Sequence, residues 1–392
     1  MLTGPAGRRP VIAGLGITEM GKVYGRTAAQ FAADAIRLAV ADAGLRLSDV
    51  DGLLTNAGVS GAGVGVGLQQ QLQLRDLRIL SEMNAYGASA GAMVSYASMA
   101  VQAGMAETVV CVFADAPLRE GQGSGGAYAG RRQPAGFTGL LPAAGLTSVN
   151  AMYALAAQRH MSTYGTTSEQ LGSIAVAQRA WAEMNPLAQM RDPITVSDHQ
   201  SSRWVAEPLH LLDCCLVSNG GIAVVVTSAE RAAHLRRPAV HVLGAAQSHP
   251  GHPDARDSRF GLESGAVRSG PAALRMAGVS LRDVTVAELY DCYTFTALLS
   301  LEDYGFCAKG EGGPFAASGA LAPGGSLAVN TGGGQLSSYY MWGMTPLSEA
   351  VIQARGEGGE RQAPRNDVIL VSGNGGILSH HSTLVLSPHP RD

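Results

Sequence analysis

The sequence predicts an α/β chain built from two related halves in tandem, because three segments recur in the same order. RPVIAGLG at 9–16 and RPAVHVLG at 237–244 both read as buried strands. AGLRLSDV at 43–50 and AGVSLRDV at 277–284 share the pattern A-G-x-x-L-x-D-V. Each follows an alanine-rich helical stretch and precedes a strand, DGLLTN or TVAELYD. AVQAG at 100–104 and AVIQARG at 350–356 each close a helix before an apolar strand, ETVVCVFAD or NDVILVSG. One such match arises by chance; three at similar offsets mark a repeat. Strands alternating with helices imply parallel-rich sheets covered on both faces.

The halves are not contiguous. A long excursion over 116–215 starts with REGQGSGGAYAGRRQPAGFTG, whose glycines predict a mobile loop. Helical stretches follow around AMYALAAQRHMSTYG and SEQLGSIAVAQRAWAEMN. The expected division is therefore a first half over 1–115, an inserted loop domain over 116–215, a closing strand within 216–235 and a second half over 236–392. An insertion between two sheet-forming halves is a natural place for substrate specificity.

Composition narrows the class. A chain of 392 residues exceeds one ordinary core. With 46% hydrophobic and only 15% charged residues, it reads as well buried, with surface covered in an oligomer. The net charge of −3 argues against capture of nucleic acid or of an anionic membrane. No apolar run reaches membrane-spanning length, and MLTGPAGRRP lacks the apolar core of a signal peptide, so a cytoplasmic location is expected. Five cysteines without C-x-x-C spacing suit a reducing compartment and predict neither a zinc site nor a disulfide framework. His249 and His252 have no partners at metal-ligand spacing, so no metal site is expected.

One stretch stands out. NAYGASAGAMVSYASMAVQAG at 84–104 runs from a loop into an uncharged helix that opens on Gly87, Ala88, Ser89, Ala90 and Gly91. Small side chains let another group approach the backbone, and a helix N-terminus offers unpaired N–H groups. Tight helix packing explains the same pattern equally well.

The motifs resemble those of the thiolase superfamily. NTGGGQLSSYYMWGM at 330–344 is similar to the N-x-x-G-G segment that leads into the Gly-His-Pro motif of thiolases. AELYDCYTFTALLSLEDYGFC at 287–307 resembles the His-Asp-Cys-Phe region of sterol-carrier-protein-type thiolases. SRWVAEPLHLLDCCLVSNGGIAVVVTS at 202–228 and VSGNGG at 371–376 extend the likeness over nearly the whole chain. The resemblance implies the thiolase fold: two βαβαβαββ-type halves in a five-layer αβαβα sandwich with an inserted loop domain.

Carried onto this sequence, the thiolase nucleophilic cysteine falls at Gly87, and the two catalytic histidines fall at Tyr340 and Tyr290. No cysteine follows Cys307, so the second thiolase cysteine is missing too. Without a thiolate the usual acyl-enzyme cannot form. These departures resemble one branch, the lipid-transfer-protein-type aldolases of steroid side-chain degradation, which use two tyrosines in a retro-aldol cleavage. GFCAKGEG, EPLHLLDCC and SRW are shared in style with it; VSGNGGILSHHSTLVL is more polar than that branch leads one to expect.

The resemblance implies a lyase that cleaves a β-hydroxyacyl-coenzyme A, with a steroid-like side chain, to a ketone and a short acyl-coenzyme A. Coenzyme A would enter as part of the substrate, with no cofactor resident on this chain. It also implies a homodimer formed through an edge strand and a small OB-fold, zinc-ribbon partner that carries its own zinc.

Tyrosine titrates near pH 10, so it donates a proton or hydrogen bond unaided but needs a cation or strong donors to act as a base. Tyr290 and Tyr340 are therefore assigned as an acid/base pair with the division of labour open; the alternative is two buried aromatics with satisfied hydroxyls. Gly87 would leave room for a bulky branched substrate. Gly333, Gly334, Gly375 and Gly376, with the helix N-terminus after Gly87, would supply N–H groups to an enolate. Asn330 either holds a turn or binds in the site. Asp291 either orients a neighbour or caps the helix beginning near Thr294. His380 and His381 alternate sides in an extended strand, so at most one faces the site; His381 is the candidate, a plain strand histidine its alternative. Cys292 reads as a small buried hydrophobe. Two rival functions remain: an acyltransferase or β-ketothiolase using Ser89 or Cys292, and a non-catalytic thiolase-like subunit.

Overall fold

Two five-stranded sheets with the same strand order meet edge to edge in the computed structural model, which describes residues 8–56, 58, 63–128, 139–251 and 259–391. The first half runs β1 (Pro10–Ile17), α1 (Ala28–Asp42), β2 (Gly52–Asn56), α2 (Val64–Gln71), β3 (Ile79–Glu82), α3 (Ser89–Gln102) and β4 (Thr108–Asp115). The insertion follows with α4 (Leu140–Ala143), α5 (Val149–Tyr164), α6 (Ser168–Glu183), α7 (Val196–Ser201) and the short ribbon β5 (Trp204–Ala206) and β6 (Leu209–His210). The chain then returns to the first sheet as β7 (Gly220–Ser228), followed by α8 (Ala229–Ala232).

The second half runs β8 (Val240–Ser248), α9 (Ala266–Ala277), β9 (Val286–Glu288), α10 (Thr294–Tyr304), α11 (Gly312–Ala317), β10 (Ala328–Val329), α12 (Met344–Ala354), β11 (Ile369–Gly375) and β12 (His380–Ser387). Strand order is β3-β2-β4-β7-β1 in one half and β10-β9-β11-β12-β8 in the other, joined by antiparallel pairing of Val11 and Ile12 with His241 and Val240. The three sequence repeats land on equivalent elements. Even the A-G-x-x-L-x-D-V copies form matching 3-10 turns, in which Asp49 accepts the N–H of Arg46 and Asp283 that of Ser280.

The expectation of parallel-rich sheets is corrected to mixed ones. β2 pairs in parallel with β3 and β4, as β9 does with β10 and β11, but β7 runs antiparallel to both its neighbours, and so does β12. For β12 the cause is its turn: residues 376–379 are too few for the crossover that parallel pairing needs.

Helices α3 and α12 touch strands of both halves, while α1 and α2 cover the outer face of one sheet and α9, with α10 beside it, the outer face of the other. That is the five-layer αβαβα order. The uncharged composition of α3 now has its reason, since it is buried along nearly its whole length between two sheets. The insertion is fastened to the second half by a fully buried pair, His160 Nε2 of α5 lying 2.9 Å from Glu302 Oε2 of α10. Its helix α6 starts in a capping box of Thr167 and Gln170. Residues 129–138 of the glycine-rich loop, and His252, lie outside the described residues. Among the described residues no helix is long and apolar enough to cross a membrane.

Candidate active site

The structure brings Tyr290 and Tyr340 together from two segments 50 residues apart in the second half. Tyr290 stands just beyond β9 and is almost fully buried; Tyr340 precedes α12 and stays partly open. Their hydroxyl oxygens are 3.2 Å apart. Burial pushes both phenols well above the usual tyrosine range, so each is held protonated and starts as a donor.

The segment carrying Tyr340 is clamped from several sides. Asp291, next to Tyr290, accepts the N–H of Gln335 at 2.9 Å and that of Leu336 at 3.3 Å. It thus ties the Tyr290 strand end to the turn leading to Tyr340. Of the two alternatives for Asp291, orienting a neighbour or capping α10, the cap is not formed, since α10 is entered at Tyr293 with Thr296 accepting the Tyr293 N–H. From the insertion, Asn185 donates to Gly332 O at 2.8 Å and Arg179 to Ser337 Oγ at 2.9 Å. Ser218, ahead of β7, accepts the backbone N–H of Tyr340 at 3.0 Å.

Asn330 sits in this clamp as a turn residue, with φ +50, its Oδ1 accepting from Leu289 N at 2.6 Å and its carbonyl from Gly333 N at 2.7 Å. The N–H of Gly333 is therefore already used. A Cβ on Gly333 would meet Ala182 of α6, and one on Gly334 would meet Asp291, so both glycines serve close packing of backbone.

At the other wall, Gly375 and Gly376 press against the turn at 85–87: a Cβ on Gly375 would lie 2.3 Å from Ala85 O, and one on Gly376 3.2 Å from the Tyr86 ring. The turn is tightly closed. Ala88 N–H goes to Ala85 O, Ser89 N–H to Tyr86 O, and Ser89 Oγ takes the N–H of Ala85 at 2.7 Å. The first N–H groups expected to face an enolate are thus occupied.

The reading of Gly87 as room for substrate is also corrected, because a Cβ there would lie 2.1 Å from Asn374 O and 2.2 Å from Tyr290 Cε2. The ring of Tyr290 fills the space. Tyr86, Asn330 and Trp342 all hold positive φ, a cluster of non-glycine strain around the tyrosine pair. Such strain costs about 1–3 kcal/mol per residue and collects at functional sites. Tyr86, Trp342 and Phe113, stacked on Trp342 at 4.8 Å, were not singled out by the sequence, where nothing local marks them.

His381 is not brought to the pair. On β12 the side chain of Ser382 faces α3 at Gly91, and His381 points to the opposite face of the sheet. There its Nε2 lies 3.0 Å from both Tyr304 Oη and Ser372 Oγ, and burial drives it down to about 3, a neutral structural imidazole. His380 stacks near Tyr86 and lies 3.0 Å from His249, nitrogen to nitrogen.

No thiol offers a substitute nucleophile. Burial pushes Cys214, Cys292 and Cys307 up to about 12, and Cys111 and Cys215 upward as well. Ser89 is fully buried with its oxygen committed. Cys292→Ala is therefore expected to leave cleavage within a few-fold of the parent. A kinetically competent acyl adduct on any cysteine, seen by mass spectrometry, would reverse that view.

Asp291 supplies a pH prediction. Burial raises its carboxyl to about 7 against the pull of the Gln335 and Leu336 N–H groups. A carboxyl raised on folding contributes stability that is full below its unfolded value near 4 and lost as pH rises through the folded value. Asp291→Asn removes that loss and keeps one acceptor oxygen. Its Tm relative to the parent should therefore climb by a few degrees between pH 5 and pH 8; a difference that stays flat or falls would contradict the assignment.

Comparison with known proteins identifies the family. Residues 244–388 match the thiolase C-terminal domain-like family. A steroid side-chain-cleaving aldolase of Thermomonospora curvata is 40% identical over 374 residues, spanning 93% of this chain and 95% of that one. The 17-hydroxy-3-oxo-4-pregnene-20-carboxyl-CoA lyase of Mycobacterium tuberculosis is 38% identical, spanning 96% and 98%. Among solved structures, an Ltp2-ChsH2(DUF35) aldolase superposes with a TM-score of 0.86 at 38% identity, covering 97% of this chain and 98% of that one. The chain belongs to the thiolase superfamily, in the branch of steroid side-chain-cleaving aldolases. It is a thiolase-fold lyase that breaks a carbon–carbon bond by retro-aldol cleavage.

Proposed function

We propose that the chain cleaves the bond between the α and β carbons of a branched β-hydroxyacyl-coenzyme A whose β carbon belongs to a steroid-like ring, and that Tyr290 and Tyr340 handle the protons. The observation that carries the reading is the pair of facing phenols at 3.2 Å in a site whose cysteines are all held as thiols. As the hydroxyl proton leaves, the electron pair of the breaking bond moves into the thioester as an enolate, and a ketone forms at the old β carbon. The enolate carbon then takes a proton to give the short acyl-coenzyme A. Protonated phenols suit this chemistry, because preorganised donors aimed at developing negative charge are usually the largest catalytic contribution.

The solved relative is named as a pairing of Ltp2 with ChsH2(DUF35), which supports a partner protein here too; we take that partner to be the small OB-fold, zinc-ribbon protein that the motifs imply, carrying its own zinc. β3 is the outer strand of its sheet and exposes Leu80, which suits pairing with a second copy of the chain. The test is direct. The purified chain, alone and co-expressed with its partner, is given 17-hydroxy-3-oxo-4-pregnene-20-carboxyl-CoA, and products are read by mass spectrometry. Ketone and short acyl-coenzyme A in equal amounts are expected. Coenzyme A-dependent thiolysis of a β-ketoacyl ester without aldol cleavage would favour the transferase, and no turnover in either form the non-catalytic subunit.

A further inference from the structure

Two buried glutamates stand behind the tyrosine pair, and the cleavage as drawn uses neither. Glu288 ends β9 just before Tyr290, and Glu349 lies on α12, which follows Tyr340. They meet on the hydroxyl of Thr331, in the turn that leads to Tyr340. Thr331 Oγ1 lies 2.8 Å from Glu288 Oε1 and 3.0 Å from Glu349 Oε1, and the Thr331 N–H reaches the same Glu288 oxygen at 3.1 Å. Glu349 already accepts from Arg361 Nε at 2.9 Å, from Arg361 Nη2 at 3.2 Å and from the Gln353 amide at 3.0 Å. Glu288 is 1% exposed, and Arg361, the cation of this cluster, sits on Glu349. With Asp291 and Asn330, both glutamates line a cavity of about 10 Å³. That is room for about one water, too little to hydrate a second carboxylate.

The hydrogens do not suffice if both glutamates are ionised. A threonine hydroxyl carries one hydrogen, so it donates to only one of the two carboxyl oxygens it touches. The other contact needs a hydrogen from the carboxyl side. Glu349, held by a guanidinium and an amide, is the acceptor, so that hydrogen belongs to Glu288. We infer that Glu288 is a carboxylic acid at neutral pH in a directed chain, Glu288 O–H to Thr331 O–H to the Glu349 carboxylate on Arg361, and that this chain sets the spacing of Tyr290 and Tyr340. The spacing rests on the retro-aldol reading above; the protonation of Glu288 does not. Burial, then the facing Glu349 charge, raise the Glu288 carboxyl well above its usual range against the pull of Thr331, and Asp291 pushes the same way. Tyr339 is a further titratable neighbour, while the paired stretches of β10 and β11 bring no charge. The chain ties the end of β9 to the turn after Asn330 and to α12, the segments that carry the two tyrosines. Two carboxylates here would push β9 and α12 apart, whereas shared hydrogens draw them together. Glu288 and Thr331 touch no reacting atom and are positioning residues.

The experiment uses the protein co-purified with its partner and 17-hydroxy-3-oxo-4-pregnene-20-carboxyl-CoA. Infrared difference spectra read the protonation at pH 8, above the Asp291 value of about 7. Glu288→Gln should lose a carboxylic-acid carbonyl band that the parent shows. Its Tm relative to the parent should also climb from pH 5 to pH 8. The contribution of an acid held protonated in the fold is full below its unfolded value near 4 and is lost as pH rises toward the folded one. For the spacing, Thr331→Val and Glu288→Ala should each lower kcat roughly 10–100-fold with KM little changed, and Thr331→Ser and Glu288→Gln should recover most of it. Absence of the band, or a relative Tm that falls with pH, overturns the acid. Parental kcat in a folded Thr331→Val overturns the spacing, and so does a Glu288→Gln no more active than Glu288→Ala. Tyr290→Phe is run in parallel. If it is fully active the tyrosine reading itself has failed, and the band and the Tm still decide the state of Glu288.

Discussion

Tyr290→Phe and Tyr340→Phe are each expected to lower kcat for cleavage roughly 10²–10⁴-fold, the range typical of a lost proton-transfer group. Phenylalanine keeps the ring and its packing but deletes the hydroxyl and the 3.2 Å bond between the two phenols. The structural cost of one lost hydrogen bond is about 1 kcal/mol, too small to unfold a domain. Loss of activity with a nearly unchanged Tm therefore separates chemistry from folding. The two variants should also differ in kind. Tyr290 is wedged between the Gly87 turn and β11, whereas Tyr340 is partly open. Tyr290→Phe should act on kcat alone, while Tyr340→Phe should also raise KM by removing a group at the entrance. Turnover near the parental value in either variant would take that tyrosine out of the mechanism.

The two tyrosines were legible because each sits inside a long local motif, LYDCYT or SSYYMWGM, whose place in the fold is set by nearby strands and helices. The two halves were legible for the same reason, since each repeat is a contiguous run. What the sequence hid depends on contacts between distant segments. The antiparallel strands β7 and β12 follow from how the chain returns, which periodicity does not encode. His380 and His381 alternate sides, and only the packing of β12, with Ser382 facing α3, shows that His381 points away from the tyrosine pair. The glycines at 333, 334 and 375 announced close approach but not to what; the answer is other protein backbone and side chains.

Gly87→Ala is the second change with a large expected effect, and the reason is steric alone, because Gly87 is not among the residues with positive φ. A methyl group there would sit 2.1 Å from Asn374 O, a backbone atom inside the β11–β12 ladder, and 2.2 Å from Tyr290 Cε2. The surroundings have no slack either: a Cβ on Gly343 or Gly373 would fall 2.2 or 2.7 Å from Gly87 O, so glycines from two other segments already let these backbones meet at their closest. The ladder cannot move without breaking its hydrogen bonds, so the ring of Tyr290 must yield. Overpacking of this kind costs about 1–3 kcal/mol. Gly87→Ala should therefore lower Tm and lose cleavage to an extent comparable with Tyr290→Phe, even though alanine carries no chemistry. Gly87→Cys should be worse on both counts. It should gain no thiolysis, since tyrosines stand where an imidazole base would be needed and His381 lies across the sheet. Measuring Tm, aldol cleavage and thiolysis on both variants tests each step. Parental Tm and turnover in Gly87→Ala would mean that Tyr290 does not rest on this turn, and the positioning of the whole tyrosine pair would have to be redrawn.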